Sequence, residues 1–242
     1  MEIIVTETLD SLGAAAADLV LAQVRTKPST VLGVATGSSP LPVYEHLALA
    51  GADFSAVTCF ALDEYVGLPA EHEQSYANIV RHRVAEPLGI TPENTHVPRA
   101  SEDNSLDGGD YEDLIRLAGG IDLQVLGIGR NGHLAFNEPG STFDSRTRVI
   151  PLTLDSRKAN ARFFSSLDNV PTHAITQGLG TIMEARHLLV VVSGIAKATA
   201  VRSAVDGPVI EEVPASILQT HPNVTMVLDE AAASLLSSTH AR

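Results

Sequence analysis

Short runs rich in Val, Ile and Leu recur along this chain, separated mostly by longer Ala-rich stretches with apolar residues at helical spacing. The runs are residues 2–6, 30–35, 56–62, 122–128, 148–152, 187–193 and 223–229. Helix candidates cover 8–25, 40–50, 75–86, 108–118, 156–166, 195–205 and 229–236. Most runs are continuously apolar, which suits strands covered on both faces. Strand–helix alternation of this kind predicts an α/β fold with a doubly wound, mainly parallel sheet, a Rossmann-like three-layer sandwich. There is no internal repeat and no linker rich in Pro, Gly or Ser, so one domain over 1–242 is expected. SEDNSLDGGD (101–110) reads as a polar surface loop before a helix.

A chain of 242 residues can bury a sizeable core. Its formal net charge of −13 argues against nucleic acid or an anionic membrane as main partner, since both need clustered Lys and Arg. An anionic small molecule stays possible if a local positive patch overcomes that field. Cys59 is the one cysteine, so no intrachain disulfide can form; its apolar run AVTCFAL suggests a buried core thiol. The N-terminus MEIIVTETLD lacks the pattern of a signal peptide, and HLLVVVSGIA is too short to span a bilayer. A soluble, cytoplasmic protein is expected.

Ligands of open α/β sheets bind in the crevice at the carboxyl ends of the strands. The residues following each strand therefore matter most. After 30–35 comes Thr36-Gly37-Ser38-Ser39-Pro40 and a helix. Gly37 permits a tight turn, the serines offer hydroxyl and N–H groups, and Pro40 suits the first helical position. Unpaired N–H groups and the helix dipole would favour an anion here. Simple Ser capping fits the segment equally well, and the Walker A ending is absent. After 56–62 stand Asp63 and Glu64. Neighbours on an extended segment point opposite ways, so only one faces the crevice directly. A carboxylate there suits a general base acting on carbon, and a solvated acidic turn is the plain alternative.

GIGRNGHLAFNEP (127–139) sets out Asn131, His133 and Glu138. If the loop folds back, Glu138 can hydrogen-bond one imidazole nitrogen and leave the other to exchange a proton. A lone structural histidine is the rival reading. The His-x4-Glu spacing matches no familiar zinc site, so no metal is expected. Arg162 lies on a helix candidate and Lys197 at a helix start just after a strand. A cation at a helix N-terminus opposes the dipole, which makes more sense if it meets an anion. Either could also be a plain surface charge.

Together GVATGSSPLPVYEHL, FALDEYVGLPAEHEQSY, LGIGRNGHLAFNEPGSTFDSRTRVIPLTLDSRKANARFF and AITQGLGTIMEARHLLVVVSGIAKA resemble the glucosamine-6-phosphate deaminase (isomerase) family, in its order and spacing, over about residues 2–236. NGHLAFNEP with LDEYVGL carries the specificity. The resemblance implies conversion of glucosamine 6-phosphate and water to fructose 6-phosphate and ammonia, an amino-sugar hydrolase and isomerase in one, without a cofactor. It implies that His133 moves a proton at the ring oxygen, with Glu138 supporting it. It implies that Asp63 takes the C2 proton and returns one at C1. Thr36, Gly37, Ser38, Arg162 and Lys197 would hold the phosphate, and 153–172 would form a lid. Asn131 stands where some members have Asp; an amide cannot act as a base, so only hydrogen bonding is expected of it. Longer, allosterically activated members use extra C-terminal residues and basic groups; here Arg148 matches one basic position and Ile150 stands at another, so weak or absent activation is expected. The resemblance leaves open a homo-oligomer and the choice between glucosamine and galactosamine 6-phosphates. A 6-phosphogluconolactonase-type hydrolase is the alternative on the same fold.

Overall fold

A computed structural model describes residues 1–99 and 108–237. Most of the polar loop expected over 101–110 lies outside the described residues. The strands are β1 Glu2–Thr6, β2 Val31–Val34, β3 Thr58–Ala61, β4 Asp63–Tyr65, β5 Thr95–His96, β6 Leu123–Leu126, β7 Arg148–Pro151, β8 His173–Thr176, β9 Leu188–Val192 and β10 Val224–Asp229. The α-helices are α1 Leu9–Thr26, α2 Leu41–Leu49, α3 Tyr76–Val80, α4 Glu86–Leu88, α5 Gly109–Leu117, α6 Leu154–Asn160, α7 Leu179–Met183, α8 Ala198–Asp206 and α9 Glu230–Ala233. A π-helical turn, Arg81–Ala85, joins α3 to α4. No helix among the described residues is long and apolar enough to cross a membrane.

Seven strands form one parallel sheet in the order β1-β10-β9-β6-β2-β3-β5. Strand pleating sends alternate side chains to opposite faces. Leu32 and Val34 of β2, with Leu189 and Val191 of β9, pack against α1, α2 and the 76–88 helical stretch. Val31, Leu188, Val190 and Val192 pack on the other side against α5, α7, α8 and α9. Two apolar layers around one sheet make the three-layer sandwich. Cys59 lies buried in one of them, and burial pushes its thiol up to about 11. From β2 the chain steps outward to β3, and it later returns to place β6 on the other flank. That reversal opens a crevice at the carboxyl ends of β2 and β6.

One expected strand sits elsewhere. The run 148–152 does not join the parallel sheet; β7 pairs antiparallel with β8, and β8 pairs antiparallel with β4, in a second three-stranded sheet. The chain leaves the large sheet at Leu62, whose N–H still donates to Val34 O at 3.2 Å, and enters the small sheet at Asp63. The expected helix 156–166 is shorter and earlier: α6 spans Leu154–Asn160 and tightens into a 3-10 turn, Ala161–Phe163. Thr153 explains the earlier start, since its side chain accepts from the Ser156 N–H as an N-cap.

Candidate active site

The turn after β2 is held from below. The buried Tyr44 hydroxyl donates to Ala35 O at 3.1 Å and accepts from Ala35 N–H at 3.0 Å, fixing α2 to the strand end. Pro40 caps α2 rather than opening it, and no side chain caps the helix by hydrogen bonding. Ser39 is buried instead, its hydroxyl 2.9 Å from that of Ser193 and accepting from Ser193 N–H at 3.2 Å. It ties the turn after β2 to the loop after β9. Thr36 is half-buried, while Gly37 and Ser38 are exposed.

The loop after β9 turns at Gly194, with φ of +91°, a conformation that glycine adopts freely. The Asp229 carboxylate accepts from the Gly194 N–H and anchors that turn. Lys197 follows at the start of α8, and its ammonium donates to Ile128 O at 2.7 Å. Burial, and then the charges of Arg130 and Arg162, pull its pKa down. None of these three cations forms an ion pair among the described residues. In a chain with 29 acids and 16 Lys and Arg, three cations whose charges act on one another, with no ion pair among the described residues, would favour an anion between them. Arg130 is the member that sequence reading passed over.

The loop after β6 is built around His133. A Cβ on Gly129 would lie 2.2 Å from His133 Nε2, so the ring rests against a position that only glycine leaves open. Leu134 and Phe136 bury their side chains and anchor the loop. Between them Ala135 takes a φ of +53°, the single non-glycine residue among those described with positive φ. Such a conformation costs about 1 kcal/mol and is retained by the packing around it. Asn137 is fully buried; its amide donates to Leu134 O at 3.0 Å and Gln177 O at 2.8 Å, and its oxygen accepts from the Arg148 guanidinium at 2.9 Å. Arg148 thus has an internal partner at the base of this loop.

Glu138 and His133 come together, though not in the hydrogen bond expected of them. His133 Nδ1 stands 3.6 Å from Glu138 Oε1, an ion-pair contact, and is buried without a hydrogen-bond partner. That carboxylate oxygen accepts from the Ser156 hydroxyl on α6. The other oxygen accepts from Asn131 Nδ2 at 2.6 Å, and Asn131 Oδ1 accepts from His133 N–H at 3.3 Å. Burial opposes ionisation of Glu138, but His133, Ser156 and Asn131 outweigh it and pull the carboxyl down to about 2.

Asp63 presents the opposite electrostatics. It lies in β4 directly across from Thr176 of β8, whose Oγ1 accepts from Phe136 N–H at 3.3 Å. One residue therefore links Asp63 to the loop of His133 and Glu138. Asp63 is 8% exposed, and its carboxylate receives no hydrogen bond among the described residues. Burial, then the charge of Glu64, hold its pKa well above the ordinary carboxylate value. Glu64 faces away and accepts three backbone N–H bonds, as alternation along a strand requires. Arg162 is exposed on the 3-10 turn after α6, its guanidinium 4.6 Å from the Phe163 ring centroid.

Taken as a constellation, the strand ends offer a buried carboxylate whose proton affinity burial raises, an imidazole backed by an ionised carboxylate, and three cations near a Gly-Ser turn. Residues 5–227 match the family of glucosamine-6-phosphate isomerases and 6-phosphogluconolactonases. The glucosamine-6-phosphate deaminase of Pseudarthrobacter chlorophenolicus is 52% identical over 240 residues, covering 98% of this chain and 93% of that protein. That of Rhodopirellula baltica is 50% identical, covering 98% and 96%. The solved structure of a monomeric glucosamine-6-phosphate deaminase superposes with a TM-score of 0.93 at 38% identity, over 97% of this chain and 100% of the other. A 6-phosphogluconolactonase from Trypanosoma cruzi shares the fold, with a TM-score of 0.74 at 21% identity over 98% of this chain and 97% of the other. Identity of this level along almost the whole chain, on a fold common to both enzyme types, makes this chain a member of the glucosamine-6-phosphate isomerase and 6-phosphogluconolactonase family.

Proposed function

We propose that the chain is a glucosamine-6-phosphate deaminase, converting glucosamine 6-phosphate and water to fructose 6-phosphate and ammonia. Relatives of that name at about half identity support the reading. The observation that carries it is Asp63: a buried carboxylate with raised proton affinity and no donor among the described residues, beside the His133 loop. Such a group suits proton abstraction from carbon.

The chemistry follows in order. The phosphate binds at the turn of Thr36, Gly37 and Ser38, facing Lys197, Arg130 and Arg162. Far from the reacting carbons, it supplies binding energy that fixes their geometry. His133 gives a proton to the ring oxygen as the C1–O5 bond breaks, takes up the proton that O1 releases as the aldehyde forms, and returns it to O1 when the enolamine forms; Glu138 stabilises the charged imidazole. Asn131 serves by hydrogen bonding, holding Glu138 and the His133 backbone together. The open aldehyde acidifies C2–H, and Asp63 takes that proton. The enolamine formed accepts a proton at C1 from the same carboxyl, leaving an imine at C2. Water adds to the imine carbon, and ammonia leaves to give the ketose. Water is consumed, yet the defining step is an aldose–ketose isomerisation. Every step is a proton transfer, an addition of water, or the cleavage of a C–O or C–N bond that a proton transfer assists. The segment 153–172 acts as a lid: its helix α6 reaches the site through Ser156.

The test is ammonia release from purified protein with glucosamine 6-phosphate, run beside galactosamine 6-phosphate and 6-phosphogluconolactone. Release from the first substrate, and its loss in Asp63→Asn, is expected. Folded wild-type protein that hydrolyses the lactone but frees no ammonia would sink the proposal.

A further inference from the structure

Glu64 is a buried acid that none of the steps above uses. It follows Asp63 on β4 and points the other way. Its Oε1 accepts from Tyr65 N–H at 2.7 Å and Tyr76 N–H at 3.0 Å, and its Oε2 from Ala77 N–H at 2.8 Å. Tyr76 and Ala77 open the helical stretch 76–88, where Ser75 takes the next free N–H, that of Asn78, at 3.0 Å. Burial raises the pKa of Glu64 above its ordinary value, and the three N–H donors oppose that shift by favouring the ionised form.

We propose that Glu64 is a positioning residue for Asp63, anchoring β4 to the start of α3 and holding a fixed negative charge one residue from the base. The inference rests on the reading of Asp63 as the proton carrier at carbon. Although the two side chains point opposite ways, the charge of Glu64 acts on Asp63 and makes its ionisation harder. Glu64 has the donors and keeps the charge; Asp63 has none among the described residues and takes the proton. Removing the charge of Glu64 therefore makes Asp63 a weaker base, and its titration moves to lower pH. The other groups around Asp63 do not compete. Tyr65 on the same strand, Tyr76 on α3 and Tyr111 on α5 all interact with it, and burial keeps all three protonated through the neutral range. Arg99 interacts with Glu64 and favours its charged form.

The experiment follows carboxyl resonances in full-length protein carrying carbon-13 side-chain carboxyls of Asp and Glu. Asp63 is assigned by its absence in Asp63→Asn, and Glu64 by its absence in Glu64→Gln or Glu64→Asp. As pH falls in the wild-type protein, Asp63 is expected to take its proton while Glu64 stays ionised. The reverse order, or an Asp63 midpoint near the ordinary value of about 4, would overturn the proposal; the variants serve here only for assignment, and Glu64→Asp gives a second route to it if Glu64→Gln does not fold. In folded Glu64→Gln the Asp63 midpoint should fall by about one pH unit, a tenfold loss of proton affinity. The acid limb of kcat/KM should move down with it, with kcat reduced more than KM is changed. A merely structural Glu64 would lower the rate and leave both the midpoint and the limb in place, and that result also overturns the proposal. Wild-type protein that releases no ammonia would count against the deaminase reading alone, because the titration needs no turnover.

Discussion

Single side chains in the crevice act on stability as well as on chemistry. Asp63 has a folded-state pKa raised well above its ordinary value, first by burial and then by Glu64. An acid of that kind costs stability as pH rises above its unfolded pKa, because the folded chain holds on to a proton that the unfolded chain gives up. Asp63→Asn removes that cost. Ammonia release should fall by about 10³-fold or more, while the melting temperature at pH 8 rises by about 2–4 °C and the gain vanishes toward pH 4. Calorimetry across that range checks it. Glu138 runs the other way. Its carboxyl, lowered to about 2, adds stability above the unfolded value, and that stability is lost as pH drops toward 2. Glu138→Gln should flatten the acid-side fall in stability between about pH 4 and pH 2, as urea melts would show. Asp63, His133 and Glu138 could be named from sequence because each stands at a strand end with chemistry that a plain loop does not need. Ser156 could not, because it reaches Glu138 from a helix 18 positions further on. Arg130 was passed over because it sits inside a turn whose glycines and asparagine draw the eye, and only the fold brings it to Lys197.

At the level of elements, the sequence exposed the large sheet and concealed the small one. Six of the seven parallel strands are long apolar runs, and periodicity finds such runs. β5 has two residues, Thr95 and His96, too few for any period. β4 escapes because it continues β3 after a single residue, so the two read as one strand ending in acids. β8, HAIT, opens on an exposed His and carries no turn signal that would mark it out. Two glycines show how these elements constrain the site in different ways. A Cβ on Gly178, just after β8, would lie 2.0 Å from the backbone oxygen of Ser145. Backbone cannot swing aside, so Gly178→Ala should cost about 1–3 kcal/mol in urea unfolding. A Cβ on Gly129 would first meet the His133 imidazole, a side chain that can rotate away. Gly129→Ala should keep nearly full stability and lose about 10²-fold in kcat, the effect of misplacing a reacting group by about 1 Å.

For the molecule as a whole, the layering was legible because two-sided burial leaves a continuous apolar signature in each central strand. The division of labour was not legible, because it depends on which sheet each strand joins. The 36–39 turn, the His133 loop and Lys197 all follow strands of the large sheet. Asp63 belongs to the small sheet, and α6 follows directly on β7 of that same sheet. A sugar phosphate held at both ends is therefore a strut between two hydrogen-bonded ladders that meet at Leu62. Amide hydrogen–deuterium exchange can see such a strut. An unreactive analogue of the open-chain substrate should slow exchange in β7 and β8 as well as around 36–39, whereas inorganic phosphate should slow it only at the large-sheet loops. The break between β3 and β4, one residue long, thus makes substrate length itself a mechanical variable: a ligand too short to bridge the two ladders can fill the anion site and still leave them free to breathe apart.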